Sequence, residues 1–376
     1  MPRRFEIAVL PGDGVGPEVI REALRALEAA RELTDLKLET TTYSAGAKYW
    51  LGKGRRRHEW DEETFERCSK ADAILLGPIG LPEVVREDGG PVGGDIVFGL
   101  RMGLDLYANV RPVKLMNGVK SPLAMKRSGD IDFAVIRENT EGLYSGIQGI
   151  LSRGGEDEAG VDVRLVTRKG AERIINYAFR FSMRRKGAPA DSKRRVTCVD
   201  KSNVLAGCRL FRSIFNDLAV RFPRIEKDYA FVDAICQWLV RRPEKYDVIV
   251  TTNLFGDILS EIGAALQGGL GLAPSANIGE KHGMFEPVHG SAPQYAGKNV
   301  ANPTAAILSV KMMLEWLGEE WNDKQLDRAA SLIEKAVVQS LEKGELLTHD
   351  LGGKASTGQA GQAVVRNMRL LAQKED

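Results

Sequence analysis

Phe5–Leu10 is a short apolar run, and after it the period of the hydrophobic positions changes. Val19, Ile20, Leu24 and Leu27 recur at steps of one helical face, which predicts a helix over 14–33. The same alternation continues along the chain. Segments at 36–43, 71–76, 131–136 and 247–252 read as strands. Amphipathic segments at 169–183 and 203–220, a segment from Gly256, and three more at 302–317, 323–341 and 358–372 read as helices. Such alternation predicts an α/β fold with a largely parallel or mixed sheet flanked by helices. Gly-rich stretches at 89–94 and 154–160 read as loops, and the polar segment 153–162 as an exposed arm.

The chain has 376 residues, enough for two domains. With 53 basic against 51 acidic residues its net charge is +2, which gives no reason to expect nucleic acid or a membrane surface as partner. The basic runs Arg55-Arg56-Arg57 and Arg184-Arg185-Lys186 lack interleaved aromatics and read as solvated surface. The apolar stretch near the start is too short for a signal core, and no window approaches a spanning helix. Cys68, Cys198, Cys208 and Cys236 have no metal-type spacing and fit free thiols in a reducing compartment. A cytoplasmic protein is expected.

The stretch LPGDGVGPE carries Gly12-x-Gly14-x-Gly16, one residue short of the dinucleotide fingerprint, with Pro17 suited to a first helical turn. On spacing alone it reads as a tight strand–turn–helix corner. Arg101, Arg111 and Arg137 could clamp carboxylates bidentately, although a surface ion pair explains most single arginines. Asp257 and Glu261, at i and i+4, share a helix face, and with Asp233 they form an all-oxygen set suited to Mg²⁺ or Mn²⁺. A first-turn position answering the helix dipole is the alternative for Asp257. Lys201 follows the strand-like RVTCV and is either a tuned acid–base group or a surface lysine. The histidines His58, His282, His289 and His349 are scattered, and no Ser-His-Asp set assembles.

In order along the chain, PGDGVGPE, LDLYANVRP, RENTEGLYSG, DKSNVL, TTNLFGDILSE, GGLGLAPSANIG and MFEPVHGSAPQYAGKNVANPTAAILS resemble the β-decarboxylating dehydrogenases. That family includes isocitrate, 3-isopropylmalate, homoisocitrate and tartrate/D-malate dehydrogenases. The resemblance implies an isopropylmalate dehydrogenase-like two-domain fold, distinct from the standard Rossmann arrangement. It implies a discontinuous cofactor domain, 1–106 and 268–376, and a substrate, metal and dimerisation domain, 107–267, with an arm near 147–168. It assigns Arg101, Arg111 and Arg137 to the carboxylates of a small hydroxy-dicarboxylate. Asp257 and Glu261, with Asp233 lent by a neighbouring subunit, would hold the metal. Tyr144 would be the acid, and Lys201, also from the neighbour, would help remove the hydroxyl proton. Asn203 and Val204 would approach the nicotinamide and the substrate's side group. Glu286, His289, Gly290, Ser291, Ala292, Gln294 and Asn302 would line the NAD(P) site. A homodimer with shared active sites, or a higher assembly of it, follows.

Departures from the family pattern sharpen these expectations. Glu261 stands where the family usually has Asp. In the turn before Arg101, GGDIVFGLR, Asp95 would repel a third carboxylate and so disfavours isocitrate, while Val97 and Phe98 suit an alkyl group. Oxidative decarboxylation of 3-isopropylmalate is expected. D-malate or tartrate follow, because VKLMNGVKSPL and DIDFAVIRENTEG resemble that branch. Homoisocitrate or isocitrate, and a non-catalytic regulatory subunit, complete the alternatives. Gln294-Tyr295 matches neither the NAD nor the NADP pattern. LTHDLGGKAST lacks the arginine of the NADP type, which points to NAD, with Lys298 as a possible compensating charge.

Overall fold

The computed structural model describes residues 3–54, 58–87, 89–344 and 346–375, so Arg55-Arg56-Arg57 lies outside the described residues. Strands follow the chain as β1 (Phe5–Leu10), β2 (Leu38–Thr42), β3 (Ala73–Leu76), β4 (Ala108–Lys114), β5 (Asp132–Glu138), β6 (Gln148–Arg153), β7 (Glu156–Asp162), β8 (Arg195–Asp200), β9 (Glu226–Phe231), β10 (Val248–Thr251), β11 (Pro274–Ile278) and β12 (Gly283–Pro287). Helices follow as α1 (Gly16–Thr34), α2 (Ala47–Gly52), α3 (Glu62–Lys70), α4 (Gly94–Gly103), α5 (Arg168–Arg184), α6 (Ala206–Ala219), α7 (Val232–Arg241), α8 (Asn253–Leu266), α9 (Thr304–Trp321), α10 (Lys324–Lys343) and α11 (Thr357–Glu375). None of the described helices is long and apolar enough to cross a membrane.

The chain forms two compact units. The first contains Met1–Leu106, Leu115–Ser128 and Gln267–Asp376. Its strands run β2-β1-β3-β12-β11, parallel except for the antiparallel β11–β12 pair. The second contains Tyr107–Lys114 and Gly129–Leu266, so residues 115–128, expected with this unit, fall with the first. Its strands run β4-β5-β10-β8-β9, with only β4–β5 antiparallel. Strands β3 and β10 are fully buried apolar runs, as expected for strands covered on both faces, whereas the parallel strands β2 and β9 are largely exposed.

Three local expectations are corrected. The stretch holding Val97, Phe98 and Arg101 is helix α4 rather than a turn, because Gly93, at φ 117°, makes the sharp entry and Gly94 already begins the helix. Residues 154–160 form the tip and second strand of the exposed hairpin β6–β7 rather than a loop. Arg185 is not solvated. Its guanidinium binds Asp132 Oδ1 at 2.7 Å and the fully buried Asp247 at 2.6 Å. A buried carboxylate needs such a partner, so this arginine anchors α5 to the start of β5 and to the residue before β10.

Candidate active site

In the first unit the glycine corner is fitted against a distant loop. Gly14 sits at φ 59°, and a Cβ there would come within 1.9 Å of the Ser291 carbonyl oxygen. Val15 N donates to that same oxygen at 2.8 Å. Asp13, nearly fully buried, accepts from Ala47 N, Lys48 N and Gly80 N at 2.8, 3.0 and 2.9 Å. The corner is therefore a backbone clamp on the segment His289–Ala292, not a phosphate cradle of its own.

Beside this clamp lies a cavity of about 450 Å³ lined by Val15, His289, Ala292, Tyr295, Lys298 and Asn302, with His349 and Asp350 from the segment before α11. Two histidines that look scattered in sequence thus meet at one site. His289 Nδ1 contacts the Gly290 carbonyl at 3.0 Å, while its Nε2 is buried with no hydrogen-bond partner among the described residues. Burial lowers the imidazole below its ordinary pKa, so the ring is neutral near pH 7. Asn302 Nδ2 donates to Asp350 Oδ2 at 3.0 Å and Thr348 Oγ1 to Asp350 Oδ1 at 2.5 Å. Size, apolar walls and an unsatisfied ring nitrogen fit part of a dinucleotide. Gln294 is exposed and does not line the cavity, whereas Lys298, named as the compensating charge, does. Val300, Ala301, His349 and Asp350 were not singled out for the cofactor, although MFEPVHGSAPQYAGKNVANPTAAILS and LTHDLGGKAST contain them.

Helix α4, in the same unit, carries Val97, Phe98 and Arg101. Val97 packs on the core, while Phe98 is 42% exposed, so the two do not act as a pair. Arg101 is 8% exposed; its Nη2 binds Glu286 Oε1 at 2.9 Å, and Asn277 donates to the same oxygen at 2.8 Å. Arg101 Nε is buried without a partner among the described residues. Asp95 is not a bare anion: Arg86 Nη1 holds it at 2.6 Å and also faces Glu59 at 3.5 Å. Because Arg86 is shared with Glu59, the repulsion expected of Asp95 is reduced rather than removed.

In the second unit, strand register builds a polar cluster. Asn109 pairs with Arg137 across β4–β5, and Arg111 lies two residues along, so the three share one sheet face. Helix α8 covers that face closely, because a Cβ at Gly256 would come within 2.6 Å of Arg137 Cβ. Arg137, 2% exposed, binds Asn253 Oδ1 through Nε at 2.9 Å and Nη2 at 2.7 Å, and pairs with Asp257 through Nη1. Arg111, 8% exposed, donates to Asn109 Oδ1 at 2.9 Å and Ser260 Oγ at 2.7 Å, with Asp257 Oδ1 at 3.5 Å and Glu261 Oε1 at 3.9 Å. These are not surface ion pairs. Because α8 begins at Asn253, Asp257 lies beyond the first turn, which removes the dipole explanation. Burial raises Glu261 above the usual carboxylate range, Arg111 opposes the rise, and Asp257 adds to it.

Tyr144 Oη donates to Asp257 Oδ2 at 3.1 Å, and the Arg137 guanidinium lies 5.6 Å from its ring centre. Burial and then the Asp257 charge raise the phenol above its ordinary pKa, so it keeps its proton at neutral pH. The loop bearing Tyr144 is tied by Glu141, which accepts from Thr167 N at 3.0 Å and Thr167 Oγ1 at 2.7 Å.

Lys201 and Asp233 form a separate pair at 2.6 Å, and this bond holds the Asp233 carboxyl below its usual range. Asn203 and Val204, exposed, follow in the same turn. Among the described residues no three His, Cys, Asp or Glu side chains gather to hold a metal, so Asp233 does not join Asp257 and Glu261 within one chain. Two carboxylates with a substrate oxygen still match the donor set of Mg²⁺ or Mn²⁺, which is commonly held by one or two carboxylates plus ligand.

The whole chain has recognisable relatives. A family model described as isocitrate/isopropylmalate dehydrogenase matches residues 6–364. A 3-isopropylmalate/3-methylmalate dehydrogenase of Methanocaldococcus jannaschii is 41% identical over 365 residues, covering 97% of this chain and 99% of the relative. A 3-isopropylmalate dehydrogenase of Clavibacter michiganensis is 42% identical over 374 residues, covering 97% and 98%. Among solved structures, an isocitrate dehydrogenase from Methylococcus capsulatus superposes with TM-score 0.85 at 38% identity, covering 97% of this chain and 99% of that one. A β-decarboxylating dehydrogenase from Thermococcus kodakarensis gives TM-score 0.77 at 36% identity, covering 99% and 98%.

Proposed function

We infer that the chain, which belongs to the isocitrate/isopropylmalate dehydrogenase family, oxidises and decarboxylates 3-isopropylmalate with NAD in a step of leucine biosynthesis. The observation that carries this reading is the convergence of Arg111, Arg137 and Tyr144 on Asp257, with Glu261 one turn further along α8. Two arginines and two carboxylates sum to no formal charge, so a dianionic substrate arriving with a dication leaves the cluster neutral.

When bound, the dinucleotide accepts the hydride and the divalent cation polarises the hydroxyl oxygen. The residues supply the rest. Asp257 and Glu261 of one subunit, with Asp233 lent by its neighbour, are assigned to the cation. Arg111 and Arg137 orient carboxylate oxygens, and Arg101 is assigned a carboxylate by the family resemblance alone. Lys201, lent by the neighbour, first gives its ammonium proton to solvent and as the neutral amine takes the hydroxyl proton as hydride leaves C2. Tyr144 returns a proton to C3 after CO₂ has departed. The cavity beside His289 is assigned to the dinucleotide, and NAD is favoured because no arginine is among the described residues that line it.

The relatives named 3-isopropylmalate dehydrogenase and the exposed Phe98 ring support an alkyl-bearing substrate, each buried methylene contributing about 0.8 kcal/mol. Isocitrate is the second reading, because Arg86 pairs with Asp95 and a solved structural relative is named for that substrate. A substrate matrix separates them: 3-isopropylmalate, D-malate, tartrate, homoisocitrate and isocitrate, each with NAD and NADP in Mn²⁺. The pair 3-isopropylmalate and NAD should exceed every other kcat/KM by about tenfold or more. A larger value for isocitrate would transfer the assignment to the second reading.

A further inference from the structure

Lys201 and Asp233 stand just beyond the ends of two adjacent parallel strands, and the structure beneath them is tied by a buried ion pair. Asp200, the last residue of β8, is 0% exposed. Arg212 of α6 grips it bidentately, Nε to Oδ2 at 2.7 Å and Nη2 to Oδ1 at 3.0 Å. Ser202 N donates to Oδ1 at 2.7 Å, and Val204 N and Leu205 N close the turn onto the Lys201 carbonyl at 3.0 and 2.9 Å. The strand register places Phe231 of β9 opposite Asp200. Arg212 Cζ lies 5.3 Å from the centre of that ring, and Lys201 Nζ lies 5.6 Å from it. One aromatic ring thus contacts two cations, one fixed by Asp200 and one reaching Asp233. Planar bidentate pairing and cation–π contact both restrict direction, so the array sets where Lys201 points. Buried ion pairs are often no more stabilising than apolar packing, which leaves orientation as the role that needs this chemistry.

We propose that Asp200, Arg212 and Phe231 are positioning residues that hold Lys201 and Asp233 in the geometry in which this subunit lends them to its neighbour's active site. The proposal rests on the assignment of those two residues given under Proposed function. Arg212→Lys keeps the charge and loses the fork; Phe231→Leu leaves the ion pair in place and removes the ring. Each variant should lower kcat about a hundredfold with little change in KM, as a displaced catalytic group does.

Subunit mixing separates this role from a general loss of structure. In a dimer of an Arg212→Lys subunit and a Tyr144→Phe subunit, one site has an intact Tyr144 facing undamaged Lys201 and Asp233. Equal mixing after subunit exchange should restore roughly a quarter of parent activity, because half of the dimers are mixed and each holds one intact site. Phe231→Leu should be rescued in the same way. Lys201→Met mixed with Tyr144→Phe is the control. If the control recovers and the two variants do not, or if both variants are as active as the parent, the positioning role is wrong. If the control itself fails to recover, the shared-site assignment falls and the proposal falls with it.

Discussion

Lys201→Met is expected to lower kcat about a thousandfold, the scale of a lost general base. The side chain ends 2.6 Å from Asp233, in a turn held by Asp200 and Ser202 rather than by the lysine itself. Losing the amine therefore removes a proton acceptor without removing a support of the fold. Dinucleotide binding, followed by fluorescence, should be unchanged, because the cavity beside His289 belongs to the other compact unit. A kcat within about tenfold of the parent would take Lys201 out of the chemistry, since even weak general-base assistance is larger than that.

Tyr144→Phe is expected to lower overall kcat about a hundredfold or more while KM changes little. Its hydroxyl contacts Asp257 at 3.1 Å, yet Asp257 keeps Arg137 and Arg111, so the cluster survives the loss of that donor. The deficit should lie in protonation rather than oxidation. In deuterated water, label should enter C3 of the 2-oxo acid far more slowly than with the parent enzyme. Unchanged label uptake would assign the acid to another group.

What the sequence reveals of this site depends on how local each contact is. β1 was legible residue for residue, because a run of six residues, five of them apolar, ending at a glycine corner needs only local information. The carboxylates on α8 were legible for the same reason, since i and i+4 fixes a shared helix face. Contacts made across the fold were not. That Gly14 abuts the Ser291 carbonyl depends on a loop far along the chain. That His289 and His349 line one cavity depends on packing between separate segments. Arg185 was misread because a charge run looks solvated until Asp247 is placed beside it. Helix α4 was misread because its two leading glycines suggest a break, whereas Gly93 supplies only the turn into the helix. Asp95 was read as repulsive because its partner Arg86 lies nine residues earlier, in a segment without helical periodicity.

The most direct measurement counts NADH and CO₂ in the same reaction, with 3-isopropylmalate, NAD and Mn²⁺. Hydride removal and loss of CO₂ at one site give equal amounts of the two products at every time point. NADH without CO₂, or neither product from any of the malate derivatives, would contradict the account.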